Sequence, residues 1–234
     1  KKIDFNNEKL SDFRPFTHYL AVMLNSVVAQ KKLKNDFEKN VTKLNIVDSL
    51  ISNEKVKNKV LNNIAFVYLL EDQNISNNNE FLKRYFEIST DSTQQNEIIK
   101  IKKSIKNLTN NHKLPKVDLV DSNDIAFDLN SKINNKTIIY FWTKNAINHY
   151  YATHKKVEEL SLKHKGFHFI SINIDNDNEI WKRFIKYQNN SSSIELQVKD
   201  FSQLRDLWII TKLNRAILLN SDATINDAFV NIFD

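Results

Sequence analysis

The apolar residues of this chain change their period once, near residue 112, and that change dictates two folding units of different class. From Ser11 to Leu108 they recur three and four residues apart, which places them on single helical faces, and no stretch there alternates as a strand does. The first stripe is Phe13, Phe16, Leu20, Met23, Leu24 and Val27, with Ser11 expected as N-cap and Pro15 tolerated in the first turn. Phe37, Val41, Leu44 and Val47 form a second, and Val56, Val60, Ile64, Val67 and Tyr68 a third. A polar break over Asn74 to Asn79 precedes Phe81, Leu82, Tyr85 and Phe86. Ser92 with Gln95 then reads as a capping box opening a fifth helix through Ile98, Ile101, Ile105 and Leu108. Five amphipathic helices with short connections predict an all-α bundle over residues 1–112, without an internal repeat.

Past Asn110, Asn111 and His112 the pattern shortens, and Leu114-Pro115 marks the join. Val117 and Leu119, turn residues 121–124, and Ile125, Phe127 and Leu129 predict a hairpin. Thr137 to Trp142 reads as a strand buried on both faces. A helix is expected from Ile147 to Lys163 through Tyr151, Val157 and Leu160, closed by Gly166 in a left-handed conformation. Phe167 to Asp175 is the next strand, completing a right-handed βαβ unit. Helices at Asn178 to Gln188 and Asp200 to Trp208, and strands at Arg215 to Leu219 and from Thr224, complete an α/β domain over residues 113–234.

Composition narrows the chemistry. The chain has no cysteine, which removes disulfides, thiolate nucleophiles and cysteine-ligated metals together. Its net charge of +6 comes from lysines interspersed with acids, and no nucleic-acid-binding module is recognisable, so nucleic acid is not the expected partner. The longest apolar runs, Ile138 to Trp142 and Ala216 to Leu219, are far short of the roughly twenty residues a transmembrane helix needs. The first residue is Lys1 rather than methionine, so an export signal, if the protein has one, is expected to have been removed. A single glycine leaves asparagine to serve at many turns.

The order of elements over roughly residues 113–234 resembles the envelope thiol-disulfide oxidoreductases of the thioredoxin superfamily, the TlpA-like group. Lys136-Thr-Ile-Ile-Tyr-Phe-Trp142 is similar to the strand ending in Phe-Trp before the active-site helix of that family. Phe169 to Asp175 resembles its second strand, and Trp181 to Phe184 its next helix. The resemblance implies a thioredoxin-like domain, a central mixed sheet flanked by helices, behind the all-α domain. It also implies that the two cysteine positions fall on Ala146 and His149, and the cis-proline position on Asn214. All three signature residues are absent, so the family's redox step loses both its nucleophile and its resolving thiol. Because a non-proline cis bond costs about 3 kcal/mol, the loop at Asn214 is expected to be trans.

The expectation is a non-catalytic binding or scaffold protein without cofactor, placed by the resemblance in a bacterial envelope, periplasmic or lipid-anchored, with another protein or peptide as partner. Trp142, Lys144 and Tyr150 are the candidate binding surface; against it stands the reading that Tyr151 is core and Tyr150 merely faces solvent. The alternative is an enzyme of another class using the helix N-terminus at Ala146 to His149 as an anion or acyl site, with His149 as general base. A third possibility is a structural subunit in which the two halves pack on each other. His149 with His154, and His164 with His168, are at poor spacing for a metal, and Asp175, Asp177 and Glu179 read as an acid-rich helix start rather than a calcium loop. Asn40, Asn107 and Asn190 formally match glycosylation acceptors, as chance allows in so asparagine-rich a chain.

Overall fold

A computed structural model describes residues 3–71, 75–188 and 192–234. The chain divides into two compact units, Lys1–Lys102 and Lys103–Asp234.

The first unit is helical: α1 (Arg14–Ala29), α2 (Asp36–Leu50), α3 (Glu54–Glu71), α4 (Ile75–Ile88) and α5 (Ser92–Asn107), the last running across the division. Asparagine and aspartate start α2, α3 and α5. Asn35 Oδ1 accepts from Glu38 N (2.8 Å) and Asn53 Oδ1 from Val56 N (3.1 Å). The cap of α5 is Asp91, whose carboxylate takes Thr93 N (2.9 Å) and Gln94 N (3.1 Å), and not the expected Ser92. A carboxylate at this end also meets the helix dipole, which a serine hydroxyl does not. Ser11 is likewise no cap: it is buried before the first turn, and α1 starts behind Phe13 with no side-chain cap and Pro15 in its first turn. The polar stretch over residues 75–79 belongs to α4 rather than to a break; Asn74 lies outside the described residues. The core is built from Leu44, Val47, Leu61, Phe81 and Tyr85, with the rings of Tyr68 and Phe81 4.0 Å apart.

The second unit is a six-stranded mixed sheet, order β1-β4-β3-β2-β5-β6, flanked by helices. In chain order its elements are β1 (Leu119–Val120), α6 (Leu129–Lys132), β2 (Lys136–Trp142), α7 (Ile147–Lys163), β3 (Phe167–Asn173), α8 (Asn178–Gln188), β4 (Ile194–Val198), α9 (Phe201–Trp208), β5 (Arg215–Leu219) and β6 (Ile225–Asn231). β2, β3 and β4 run parallel, and β1, β5 and β6 pair antiparallel. The central strand β2 is covered on both faces: Tyr140 packs with Val157 and Phe169, and Phe141 against Trp208 (6.3 Å, edge to face).

Three expectations need correction. β4 occupies Ile194–Val198, where the apolar pattern assigns no element. The hairpin shrinks to a bridge between Val120 and Ala126, because Asp128 caps Asn130 N and turns the chain into α6. Gly166 is not left-handed; the positive-φ positions among the described residues are Asn111, Asp124, Ile209 and Ala223, and a Cβ at Gly166 would touch nothing within 4 Å.

Candidate functional site

Parallel strands present their carboxyl ends to one edge of a sheet, where α/β proteins place their sites. Here β2 ends at Trp142, a 3-10 turn spans Lys144–Ala146, and α7 begins at Ile147 with Ala146 as its N-cap (φ −119°, ψ 59°). Ala146 therefore stands at the start of α7, and His149 lies on the first turn behind it. The loop is fixed from below by Asp175, beyond β3. Its carboxylate accepts from Thr143 Oγ1 (2.5 Å), Lys144 N (2.9 Å) and Asn173 Nδ2 (3.0 Å). Gln197 of β4 donates to the Asp175 carbonyl (2.8 Å) and to Asn173 Oδ1 (3.3 Å), so the ends of three strands are tied together. Asp175 thus holds the approach to α7, while Asp177 caps α8 by accepting from Ile180 N (2.9 Å). Of this cluster the sequence singled out only Lys144 and Asp175; Asn173 and Gln197 carry just one signal, a polar side chain inside an otherwise apolar strand.

The candidate surface needs revision. Trp142 has no exposed area and Tyr150 only 2%. They form a core with Trp181: the Trp142 ring lies 4.6 Å from Tyr150 and 5.3 Å from Phe184, and its Nε1 donates to the buried Ser171 hydroxyl (2.7 Å). The competing assignment is reversed as well, since Tyr150 is core and Tyr151, 53% exposed, faces solvent. One residue turns a side chain by about 100° on a helix, and here the large indole of Trp142 draws in the earlier tyrosine. Burial, reinforced by the charge of Glu195, pushes the Tyr150 hydroxyl above its ordinary range, so it stays protonated. Of the three surface candidates only Lys144 keeps partial exposure.

His149 has Thr153 Oγ1 3.4 Å from both ring nitrogens and sits edge-on to Phe233 (6.0 Å). Burial and the neighbouring His154 lower its pKa, which favours a neutral imidazole. His154 is engaged elsewhere: Nδ1 donates to the Tyr150 carbonyl (2.9 Å), its ring stacks 3.9 Å from Tyr150, and Nε2 lies 3.4 Å from Glu195 Oε1. The two histidines do not converge, and among the described residues no group of three His, Cys, Asp or Glu is placed to hold a metal. Asn214 turns toward β6, donating to Asn231 Oδ1 (3.3 Å) and accepting from Ile232 N (2.9 Å); no cis peptide occurs among the described residues. The segment Asn231 to Phe233 thereby touches both Asn214 and His149, binding Asn214 at one end and packing its Phe233 ring on His149 at the other.

Beside Asn214, Arg215 is buried in β5. Its guanidinium donates to the carbonyls of Ala228 (2.9 Å) and Ile209 and lies 4.0 Å over the Phe229 ring. Burial lowers its pKa to about 9, against the pull of Asp227, and it remains a cation at neutral pH.

This topology, with the helix start at the end of the central strand, defines a thioredoxin-like domain. Residues 134–225 match the thioredoxin-like family model. A thioredoxin-like protein from Bacteroides caccae superposes over 99% of this chain and 86% of its own, with a TM-score of 0.60 at 13% identity, a likeness of fold. The thioredoxin domain of a Bacteroides vulgatus thiol-disulfide oxidoreductase (17% identity, 50% of this chain, 86% of its own, TM-score 0.42) is also similar. So is a secreted disulfide oxidoreductase of Mycobacterium tuberculosis (16%, 49% and 81%, TM-score 0.39). No curated protein matches the sequence. No helix of the described residues is long and apolar enough to cross a membrane.

Proposed function

We propose that this protein is a non-catalytic, thioredoxin-like binding module of the bacterial envelope, a degenerate relative of the TlpA-like oxidoreductases, whose partner is a protein or peptide segment. Thiol-disulfide exchange requires a thiolate on the enzyme, and the chain has no sulfur nucleophile to supply one. The observation that carries the binding role is the exposure of apolar side chains at the start of α7. Ile147 is 37% exposed and Tyr151 53%, one turn apart on the same face and directly after Ala146. Exposed tyrosine next to aliphatic surface is what peptide-binding hot spots are made of. Packing at this face takes the place of covalent capture. The enzyme alternative lacks support for its base, since His149 is flanked by a threonine hydroxyl and an aromatic ring rather than by an orienting carboxylate.

The test is affinity capture with the full chain, comparing wild type, Ile147→Glu with Tyr151→Glu, and Leu162→Glu, a residue exposed at the other end of the same helix. A partner recovered by wild type and Leu162→Glu but lost with the double variant supports the assignment. Equal recovery by all three, or reduction of insulin disulfides by the wild-type protein, overturns it.

A further inference from the structure

The net charge of +6 is concentrated in one run of the chain. From Ile98 to Val117 there are six lysines and no carboxylate, and the 34 basic side chains less these six equal the 28 acids of the whole chain. Elsewhere lysines and acids are interspersed; here they are not. Four of the six, Lys100, Lys102, Lys103 and Lys106, lie on α5, a single unbroken helix. At about 100° per residue, Ile99 stands in the middle of one face, with Lys106 and then Lys102 to one side of it and Lys103 and then Lys100 to the other. All four lysines are exposed and Ile99 is 49% exposed, whereas Ile98 and Ile105 are buried.

Acids do not neutralise this face. Among the described residues none of the four lysines forms an ion pair, while Lys39, Lys55 and Lys57 on α2 and α3 pair with Asp36, Glu8 and Glu54. Glu97, the last acid before the run, points away from Ile99 around the helix and accepts from Asn62 Nδ2 (3.1 Å). Lys100 with Lys103, Lys102 with Lys106, and Lys103 with Lys106 are like charges three or four residues apart, which opposes a helix. The helix dipole accounts for Lys106 in the last turn but not for the three lysines before it.

The side chains select among anions. The face has no arginine to fork onto a phosphate or carboxylate and no ring to stack on a base, and lysine is depleted from protein–protein interfaces. Mobile ammonium groups around one exposed aliphatic side chain suit a fluid anionic surface, where the apolar residue enters the headgroup layer. We infer that this face of α5 docks on a bilayer containing anionic phospholipid, with Lys102, Lys103 and Lys106 at the headgroup phosphates and Ile99 between them. The inference does not depend on the role proposed for the start of α7.

Co-sedimentation of the full chain with vesicles tests it, using phosphatidylcholine with and without phosphatidylglycerol. Binding is expected only with phosphatidylglycerol and should fall steeply with added salt. At about fivefold per lysine, Lys103→Gln with Lys106→Gln should weaken it about 25-fold, and glutamine keeps the helix propensity. Lys31→Gln with Lys32→Gln, exposed lysines outside the face, removes the same charge and should leave binding within about twofold of wild type. Ile99→Ser should weaken it about threefold without changing its salt dependence. Equal loss by the two lysine pairs, undiminished binding by Ile99→Ser, binding to phosphatidylcholine alone, or stronger binding to a DNA duplex or polyglutamate than to the vesicles overturns the inference.

Discussion

Replacing Trp142 by alanine separates the two roles a tryptophan can have at this position, surface anchor or core. Truncating a buried tryptophan costs about 3–5 kcal/mol through lost burial and the cavity left behind. At Trp142 the upper part of that range applies. The side chain is fully buried among Tyr150, Trp181 and Phe184, and its loss leaves the buried Ser171 hydroxyl without its indole donor. Trp142→Phe keeps a ring and removes the N–H, so a loss of about 1–2 kcal/mol is expected. Tyr151→Ala, at an exposed position, should stay within about 0.5 kcal/mol of wild type. Urea unfolding followed by tryptophan emission is the assay, because Trp142, Trp181 and Trp208 all lie in Lys103–Asp234 and the signal is blind to the helical unit. With typical domain stabilities of about 5–15 kcal/mol, Trp142→Ala should bring the midpoint to low urea. A loss below about 1 kcal/mol, or a larger loss for Tyr151→Ala than for Trp142→Ala, would refute the packing described here.

Further outcomes follow from the polar contacts. Asp175→Ala removes two hydrogen bonds to the turn into α7 and one to Asn173 of β3 and should cost about 2–3 kcal/mol, with faster amide exchange at Lys144; unchanged exchange there would mean the carboxylate does not hold the loop. Arg215→Leu strands the carbonyls of Ala228 and Ile209 and should cost about 2–4 kcal/mol in the same urea assay, whereas a neutral result would contradict the buried bonds. The lowered pKa of His149 has a definite sign. The unfolded chain binds this proton at the ordinary value of 6.5 and the folded one only at lower pH, so stability falls as the solution is acidified through that window and the penalty is absent well above it. His149→Gln should therefore flatten the stability profile below pH 6.5 and match wild type at pH 8; parallel profiles would show that His149 is not the group responsible.

Long periodic segments were legible from the sequence. The limits of α7 and α8 and the strand-helix-strand succession of β2, α7 and β3 follow from apolar spacing, because burial on a helix or strand leaves a period in the chain. What escaped detection depends on partners distant in sequence. Ile194-Glu-Leu-Gln-Val198 does alternate, but it becomes a strand because β3 on one side and β1 on the other supply its hydrogen bonds. The choice between Tyr150 and Tyr151 turned on where Trp142 and Phe184 would stand, and adjacent tyrosines carry no local signal for that. Asp91 outcompeted Ser92 as a cap by a single position, within the usual uncertainty of helix ends. At the site, the positions Ala146 and His149 rest on the resemblance alone; no period in the chain marks them, and the structure places Ala146 as the N-cap of α7 and His149 on its first turn. The knot of Asn173, Asp175 and Gln197 joins three strand ends and has no counterpart in any one segment.

Placing thiols at the start of α7 tests the proposed descent from a redox site most directly. In the Ala146→Cys, His149→Cys double variant the two thiols stand one helical turn apart, within disulfide reach at the start of α7. Mild oxidation should yield a monomer lighter by two hydrogens with both thiols closed to Ellman's reagent. Thiols that stay open, or that pair only between molecules, would contradict the assignment of this helix start as a redox site without its sulfur.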